Sequence, residues 1–192
     1  ELWSTYGKTY DEWICRLTQA LLSASREATL TPLRPLAAKL PQLASVLLCP
    51  AILDALQHDA IGGDVSRRIA SSFNLIFEEA LRTAPPPTAH QLSAVGTIVR
   101  VLITLRARAM HARHAKKHPT SAFPHAWIDA LWPLLNLTPA AAAAHAAGCP
   151  ISALMLLEIH SEVERELQPS NLLRNPNLCR QYAEVSAALP AP

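Results

Sequence analysis

Glycine is scarce in this sequence, with five residues among 192. Only Gly62 and Gly63 are adjacent, and neither a GxGxxG nor a GxxxxGK(S/T) pattern occurs. Nucleotide-binding loops need glycine where the backbone approaches a phosphate, so the sequence argues against such a loop. Charged residues are also few, at 17% of the chain against about 25% in an ordinary globular domain. With 50% hydrophobic residues, this composition excludes disorder and predicts helical faces that neighbouring repeats partly cover.

Cysteine is equally rare and is spread along the chain. The four residues form no CxxC pair: Cys15, Cys49, Cys149 and Cys179. This spacing predicts neither a zinc framework nor a redox pair, and it favours a reducing compartment in which the thiols are small buried apolar groups. The net charge of +2 indicates no strong polyanionic partner, and the N-terminus has no signal-peptide pattern.

Residues 130–157 contain no Asp, Glu, Lys or Arg and are long enough to cross a bilayer. Six residues interrupt this stretch: Pro133, Asn136, Pro139, His145, Gly148 and Pro150. Because these breaks would leave backbone groups unpaired in hydrocarbon, we predict no membrane-spanning helix.

Apolar residues recur at helical spacing along most of the chain, which predicts an all-α fold. The predicted helices of the first part span residues 6–23, 31–40, 43–56, 65–80 and 92–105. Pro50 either bends the third helix or divides it in two. No segment alternates with a period of two between hairpin turns, so no strand is predicted.

Each predicted helix should place its apolar face against the core. In the first helix that face comprises Tyr10, Trp13, Ile14, Leu17 and Leu21. In the second, behind a cap and first turn at Thr31 and Pro32, it comprises Leu33, Leu36, Ala37 and Leu40. The third pattern includes Leu43, Val46, Leu47, Leu48, Ile52, Leu53 and Leu56. The fourth helix has four charged residues on or near its solvent side: Arg67, Arg68, Glu78 and Glu79.

The most regular unit is a predicted helix pair within residues 123–166. Thr138 caps the first helix, and Pro139 occupies its first turn. The alanines at 140–147 favour helix, and Gly148 supplies the left-handed residue at which helices commonly stop. The second helix begins at Pro150, with an apolar face of Ile151, Leu154, Met155 and Leu157. Small alanines let the helices approach closely, as in the antiparallel pairs of tetratricopeptide-like arrays.

The polar residues 116–124, broken by Pro119 and Pro124, are the best candidate for a domain boundary. Three prolines at 85–87 predict an extended connector. A short C-terminal helix is predicted from Asn175 and Pro176, with Leu178, Tyr182, Val185 and Leu189 facing inward. About seven to nine helices with short connections predict an irregular α-solenoid of HEAT-like or tetratricopeptide-like helix pairs.

Histidines and one cysteine are candidates for chemistry. His111, His114 and His118 lie three and four residues apart, where a zinc or copper ion could bridge two imidazoles. No nearby Asp, Glu or Cys completes a ligand set, so a solvated basic helix end is favoured. His145 and Cys149 could form a thiolate pair for nucleophilic catalysis, but no orienting carboxylate is found and packing is favoured.

Basic residues crowd the end of the 92–105 helix: Arg106, Arg108, Arg113, Lys116 and Lys117. Such a cluster could contact phosphates, but it lacks aromatic residues for base stacking, so a solvated or partner-facing helix end is favoured. The tryptophans Trp13, Trp127 and Trp132 are predicted core anchors rather than a ligand cage. Glu158 and Glu162 are predicted to form a solvated face.

Two stretches resemble a known family: TYDEWICRLTQALLSA at 9–24 and HAWIDALWPLLNLTPAAAAAHAAGCPISALMLLEIHSE at 125–162. They are similar to ATM-type members of the phosphatidylinositol-3-kinase-related protein kinases, in particular to the fungal telomere-maintenance orthologues. The first signature comprises Tyr10, Trp13, Ile14, Leu17 and Thr18. The second comprises Ala153, Leu154, Glu158 and Ile159. Residues 63–120 match in helical character only.

The resemblance implies a non-catalytic scaffold segment of a large serine/threonine kinase. Residues 1–118 would be HEAT-like repeats, and residues 119–192 would begin the tetratricopeptide-like FAT region. It implies no catalytic, cofactor-binding or metal residue in this segment, because ATP and magnesium belong to the parent's kinase domain, which phosphorylates Ser or Thr before Gln. The implied partners are that kinase domain, other repeats of the same polypeptide, a second copy in a homodimer and a DNA-break sensor complex. The implied location is the nucleus, with no membrane and no direct nucleic-acid contact.

Two further hypotheses stay open. The first is a stand-alone helical-repeat module that binds a peptide or nucleic acid through its basic helix end. The second is a small helical metalloenzyme that uses His111 and His114. The dipeptide Thr18–Gln19 matches the substrate pattern of the resembled kinases, but we interpret it as coincidental because the helix that carries it is predicted to be packed.

Overall fold

The computed structural model of the chain describes residues 9–167 except 60, 62, 84–85 and 116–125, together with 180, 183–185 and 187. Within this part lie α1 (Tyr10–Ala24), α2 (Arg34–Ala37), α3 (Pro41–Gln57), α4 (Asp64–Ala80), α5 (Ala89–Ala115), α6 (Ala126–Asp129), α7 (Leu137–Ala146) and α8 (Pro150–Leu167). Short 3-10 turns occur at Thr31–Leu33 and Trp132–Leu134. Every regular element in the described part is helical, which confirms the predicted all-α class.

The helices share one apolar core. Helix α1 packs against α3, α4 packs against α5 and α7, and α7 packs against α8. Trp13 and Trp132 are buried as predicted, whereas Trp127 is only partly buried. The core therefore contains side chains from helices on both sides of residues 116–124, which themselves lie outside the described part of the chain. None of the helices described here is both long and apolar enough to cross a membrane.

Helix α1 starts at a capping box formed by Thr9 and Glu12, which was not predicted from the sequence. The Glu12 N–H donates to the Thr9 hydroxyl at 3.3 Å, and the Thr9 N–H donates to the Glu12 carboxylate at 3.1 Å. These hydrogen bonds favour the charged carboxylate and hold the pKa of Glu12 below its usual value. The predicted apolar face is confirmed, since Trp13, Ile14 and Leu17 are buried and Tyr10 and Leu21 pack beside them.

The helix predicted at 31–40 is wrong in form and in its buried face. A 3-10 turn and the four-residue α2 take its place, and Leu30 rather than Thr31 occupies the N-cap position. Of the predicted face only Ala37 is buried, whereas Leu36 and Leu40 are each 48% exposed. The prolines at 32 and 35 provide no N–H donors, which disfavours a longer regular helix in this segment.

Helix α3 continues through Pro50 as one helix, so the proline does not divide it. Most of the predicted apolar pattern is buried, but Val46 is 70% exposed. The Asp54 carboxylate is buried and accepts a hydrogen bond from the Arg26 N–H at 3.2 Å. It also lies 3.2 Å from the His58 ring, so this carboxylate ties the segment after α1 to the end of α3.

The loop between α3 and α4 depends on Asp59. Its carboxylate accepts a hydrogen bond from the Val65 N–H at 2.8 Å, in the first turn of α4, and its carbonyl accepts one from the Trp127 ring N–H at 3.1 Å. A Cβ atom at Gly63 would lie 2.5 Å from the Asp59 carboxylate. Glycine at position 63 therefore allows the carboxylate to reach the start of α4.

The α7–α8 turn is partly as predicted. Gly148 has φ +75°, the left-handed conformation expected, and the Gly148 and Cys149 N–H groups donate to the carbonyls of His145 and Ala144 at 2.9 Å each. The predicted cap at Thr138 is wrong, because α7 begins at Leu137 with Asn136 as its N-cap. The predicted face of α8 is also partly wrong. Ile151 is 66% exposed, and Ala153, Leu156, Leu157 and Ile159 are the buried residues.

Helix α5 confirms the predicted long helix, with Val95, Ile98, Val99, Leu102 and Leu105 buried. Thr88 and Gln91 exchange hydrogen bonds at its start, at 2.8 and 3.3 Å, in the manner of a capping box. Of the predicted C-terminal helix, Val185 is buried, while Asn175, Pro176, Leu178, Tyr182 and Leu189 lie outside the described residues, as does Pro85 of the connector.

Candidate functional site

The basic end of α5 is partly used within the chain. Arg106, whose side chain is 14% exposed, forms an ion pair with Glu162 of α8. Glu158 and Glu162 are exposed, as predicted, and the Glu162 carboxylate in addition links α8 to α5. Arg108 is exposed, and the side chains of Arg113, Lys116 and Lys117 lie outside the described part. Phosphate binding by this cluster stays a prediction.

The three-histidine hypothesis also stays a prediction. His111 is exposed near the end of α5, but the side chain of His114 and all of His118 lie outside the described residues. In the described regions, no group of three or more His, Cys, Asp or Glu side chains is placed to hold a metal ion. The metal site cannot be built from His111 alone, since a zinc site needs at least three protein ligands.

His145 and Cys149 lie on opposite sides of the left-handed turn at Gly148. The Nδ1 atom of His145 is buried and has no hydrogen-bond partner in the described part of the chain. The Cys149 thiol donates to the carbonyl oxygen of Ala147 at 3.8 Å, so its hydrogen bond is with the backbone and not with the imidazole. The predicted catalytic pair therefore has no thiol–imidazole hydrogen bond in the described contacts.

Cys149 lines a surface depression of about 410 Å³ between α1, α5 and the α7–α8 turn. Tyr10 and Thr97 share a hydrogen bond of 2.7 Å in its wall, and Arg100 lies at its edge. A Cβ atom at Gly96 would meet the Cys149 sulfur at 3.9 Å, an ordinary contact. The depression thus brings a partly exposed thiol close to α5.

We expect Cys149 to be alkylated at least about tenfold faster than Cys15 or Cys49 at neutral pH. The last two are buried, and burial raises the pKa of both thiols, so less of each is present as reactive thiolate. Iodoacetamide labelling of the native chain, followed by peptide mass spectrometry over time, measures the three rates. Labelling in urea provides the control, where the rates should converge. Equal native rates would contradict the assigned burial.

Two adjoining shallow depressions lie along the exposed side of α4, and together we call them the α4 groove. Its first half, about 560 Å³, is lined by Asp64, Arg67, Arg68, Ser71 and Ser72. Its second half, about 410 Å³, shares Arg67 and Ser71 and continues past Asn74, Leu75 and Glu78. The sequence placed its charged residues in solvent but gave no sign that they line a concave surface.

The second half of the α4 groove has a far wall, the segment between α6 and α7, and Asn74 holds this segment in place. The Asn74 side-chain amide donates to the Leu134 carbonyl at 3.1 Å and accepts from the Asn136 N–H at 2.8 Å. Leu135, between these two residues, has an extended backbone at φ −91° and ψ 136°. The asparagine thus binds an extended stretch of its own chain through both backbone groups, which fixes the width of the groove.

The residues that carried the family resemblance are mostly packed. Trp13, Ile14, Leu17 and Thr18 are buried on α1, and the Thr18 hydroxyl donates to the Ala44 carbonyl at 3.0 Å. On α8, Ala153 and Ile159 are buried and Glu158 is exposed. Thr18–Gln19 therefore lies on a packed helix, as predicted.

Comparison of the chain with protein-family models, with curated proteins and with solved structures gave no match. The resemblance to the ATM-type kinases accordingly stays a prediction made from the two quoted stretches.

Proposed function

We propose that this chain is a non-catalytic helical scaffold segment of an ATM-type serine/threonine protein kinase. In this proposal the helices belong to an irregular α-solenoid, with HEAT-like repeats at 1–118 and the start of a FAT-like region at 119–192. The segment supports the kinase domain and dimer assembly, so that a DNA-break sensor complex can shift the enzyme from an inactive to an active state in the nucleus. The parent acts in DNA double-strand-break signalling and telomere maintenance.

The observation that supports this proposal most directly is the burial of the resembling residues. Four of the five residues of the first signature are buried between helices: Trp13, Ile14, Leu17 and Thr18. A motif that serves packing needs its side chains in helix–helix contacts, whereas a catalytic motif needs them open to substrate. Large exposed apolar residues such as Val46, Ile61 and Ile151 also fit a surface that other parts of a larger assembly cover.

Immunoprecipitation from the source cells tests this proposal. An antibody raised against residues 1–192 should capture a polypeptide far larger than the 20.9 kDa of this chain. The precipitate should phosphorylate a peptide that contains Ser-Gln but not its Ser-Ala counterpart. Capture of a protein of about 20.9 kDa without this activity would contradict the proposal and favour a stand-alone module. Sequencing the transcript beyond the codon for Pro192 provides an independent check.

The stand-alone module that binds a peptide is the second candidate, and the α4 groove is the observation that favours it. This groove is open, elongated and lined by side chains of both charges. The basic end of α5, originally predicted as the contact of such a module, is a weaker candidate because Arg106 is already paired with Glu162. A metal-content assay of the purified chain tests the metalloenzyme hypothesis.

A further inference from the structure

We propose that the α4 groove binds an extended peptide of a partner protein in which an acidic residue, a large apolar residue and a basic residue follow one another at set spacings. The inference does not depend on the proposed kinase parent, since it rests on the shape and charge of one helix face. It concerns a surface that lies on α4, away from the basic end of α5 and from the Cys149 depression.

The first half of the groove offers positive charge. Arg67 pairs with Asp64 at 2.7 Å, but both side chains are mostly exposed, so solvent screens the attraction between them. Arg68 is exposed and makes no ion pair with a carboxylate in the described part of the chain, although the hydrogen bond and charge of Arg67, together with the charge of Arg68, hold the pKa of Asp64 below its usual value. A carboxylate from a partner can therefore bind the two guanidinium groups at little cost to the fold, with the Ser71 hydroxyl beside them.

The second half offers apolar surface and then negative charge. Leu75 is 41% exposed on α4, and Leu134 from the opposite wall is partly buried against the core. The two side chains line the groove together, so a leucine-sized side chain bound between them would lose water contact on two sides. Glu78 lies one turn beyond Leu75 and provides a site for a cation.

The balance of charge favours a peptide over a polyanion. Arg67 and Arg68 supply two positive charges, while Asp64 and Glu78 supply two negative charges in the same groove. A nucleic acid, with phosphates at every step, would meet both carboxylates and gain little net attraction. The end with Asp64, Arg67 and Arg68 has a net charge of +1 and the end at Glu78 a charge of −1, so a peptide with one acidic and one basic side chain meets the opposite net charge at each end.

The helix fixes the spacing of the three subsites. Arg68 and Leu75 are seven residues apart, which is about 10 Å along an α-helix. Arg68 and Glu78 are ten residues apart, or about 15 Å. An extended peptide advances about 3.3 Å per residue. The partner should therefore carry its apolar residue about three positions from the acidic residue and its basic residue about four or five positions from it.

Fluorescence anisotropy with labelled peptides tests the proposal on the full chain. The probes are Asp-Ser-Thr-Leu-Ser-Lys and its reversed sequence, Lys-Ser-Leu-Thr-Ser-Asp, because the order of the three subsites does not determine the direction of the peptide chain. We expect at least one of them to bind saturably. Replacing its Asp by Lys, or its Leu by Ser, should weaken binding at least about tenfold, since each change removes one of the three contacts.

Protein variants identify the site. Arg68→Glu should weaken binding of the same probe at least about tenfold, and Leu75→Ser at least about fivefold. Arg16→Glu, on the exposed side of α1, makes the same change in net charge and should alter affinity by less than about twofold. Thermal unfolding of each variant confirms that the fold is intact, which is expected because all three side chains are exposed.

Several results would overturn the proposal. The first is that neither probe shows saturable binding at protein concentrations up to about 1 mM. Equal weakening by Arg16→Glu and Arg68→Glu is another, since it would show a general charge effect. Binding of a single-stranded thymidine oligonucleotide that is lost in Arg68→Glu would assign the groove to nucleic acid instead. Each outcome is separate from the immunoprecipitation result, so the groove and the kinase parent can fail independently.

Discussion

Replacing Phe77 by alanine is expected to destabilise the chain by about 3–5 kcal/mol. Phe77 is fully buried on α4, which packs against both α5 and α7. Truncation removes a buried ring and leaves a cavity that close-packed surroundings fill only in part. Domains of this size are stable by only about 5–15 kcal/mol, so the loss is a large share of the total. Urea denaturation followed by far-UV circular dichroism measures it.

Leu75→Ala is the matched control on the same helix. Leu75 lies two residues earlier and is 41% exposed, so its truncation should cost less than about 1 kcal/mol. Hydrogen exchange adds a second measurement, because the Phe77 variant should lose protection in α5 and α7 alike. Protection lost in α5 but kept in α7 would support independent units at 1–118 and 119–192. Equal losses in the two variants would contradict the placement of Phe77 in the core.

Features that depend on local backbone chemistry could be predicted from the sequence. Gly148 was expected to be left-handed because residues without a Cβ adopt that conformation at low cost, and it has φ +75°. Pro150 begins α8 as predicted, at a position where a missing N–H loses no intrahelical bond. These requirements involve a few neighbouring residues, so the sequence contains all the information they need.

Buried faces were predicted less well than helices. The pattern of α1 identified its core residues, but Val46 and Ile151 belong to equally regular patterns and are 70% and 66% exposed. Periodicity shows that a helix has an apolar face, whereas the neighbouring helices decide how much of that face they cover. The prediction of one helix at 31–40 was wrong for a different reason, because Pro35 has no N–H to donate in a helix that starts at residue 31, and a 3-10 turn precedes the four-residue α2 instead.

The α4 groove could not be predicted from local sequence. Its wall depends on Asn74, whose two hydrogen-bond partners are 60 and 62 positions away in the chain. An asparagine on a helix has no local signature for such a contact, since its side chain can equally bond water or its own backbone. The exposed arginines and glutamate of α4 were recognised as polar, but the concave surface between them forms only when α4 meets the segment before α7.

Replacing Ala144 by leucine is expected to destabilise the chain by about 1–3 kcal/mol. Ala140, Ala141, Ala143 and Ala144 are all buried on α7, which packs against α4, α5 and α8. Alanine and leucine have similar helix propensities, so the cost comes from added volume in a closely packed interface and not from the backbone. Thermal unfolding reports the loss of stability, and tryptophan emission, to which the buried Trp13 and Trp132 contribute, reports any repacking.

Ala146→Leu makes the same chemical change two residues later, at an exposed position on the same helix. This substitution should change the free energy of unfolding by less than about 0.5 kcal/mol, because a surface leucine on α7 displaces only water. The difference in the free energy of unfolding between the two variants therefore measures how tightly α7 packs at Ala144. If Ala144→Leu were as stable as the wild type, α7 would have spare room beside it, and the small side chains would not be what allows the α7–α8 pair to form.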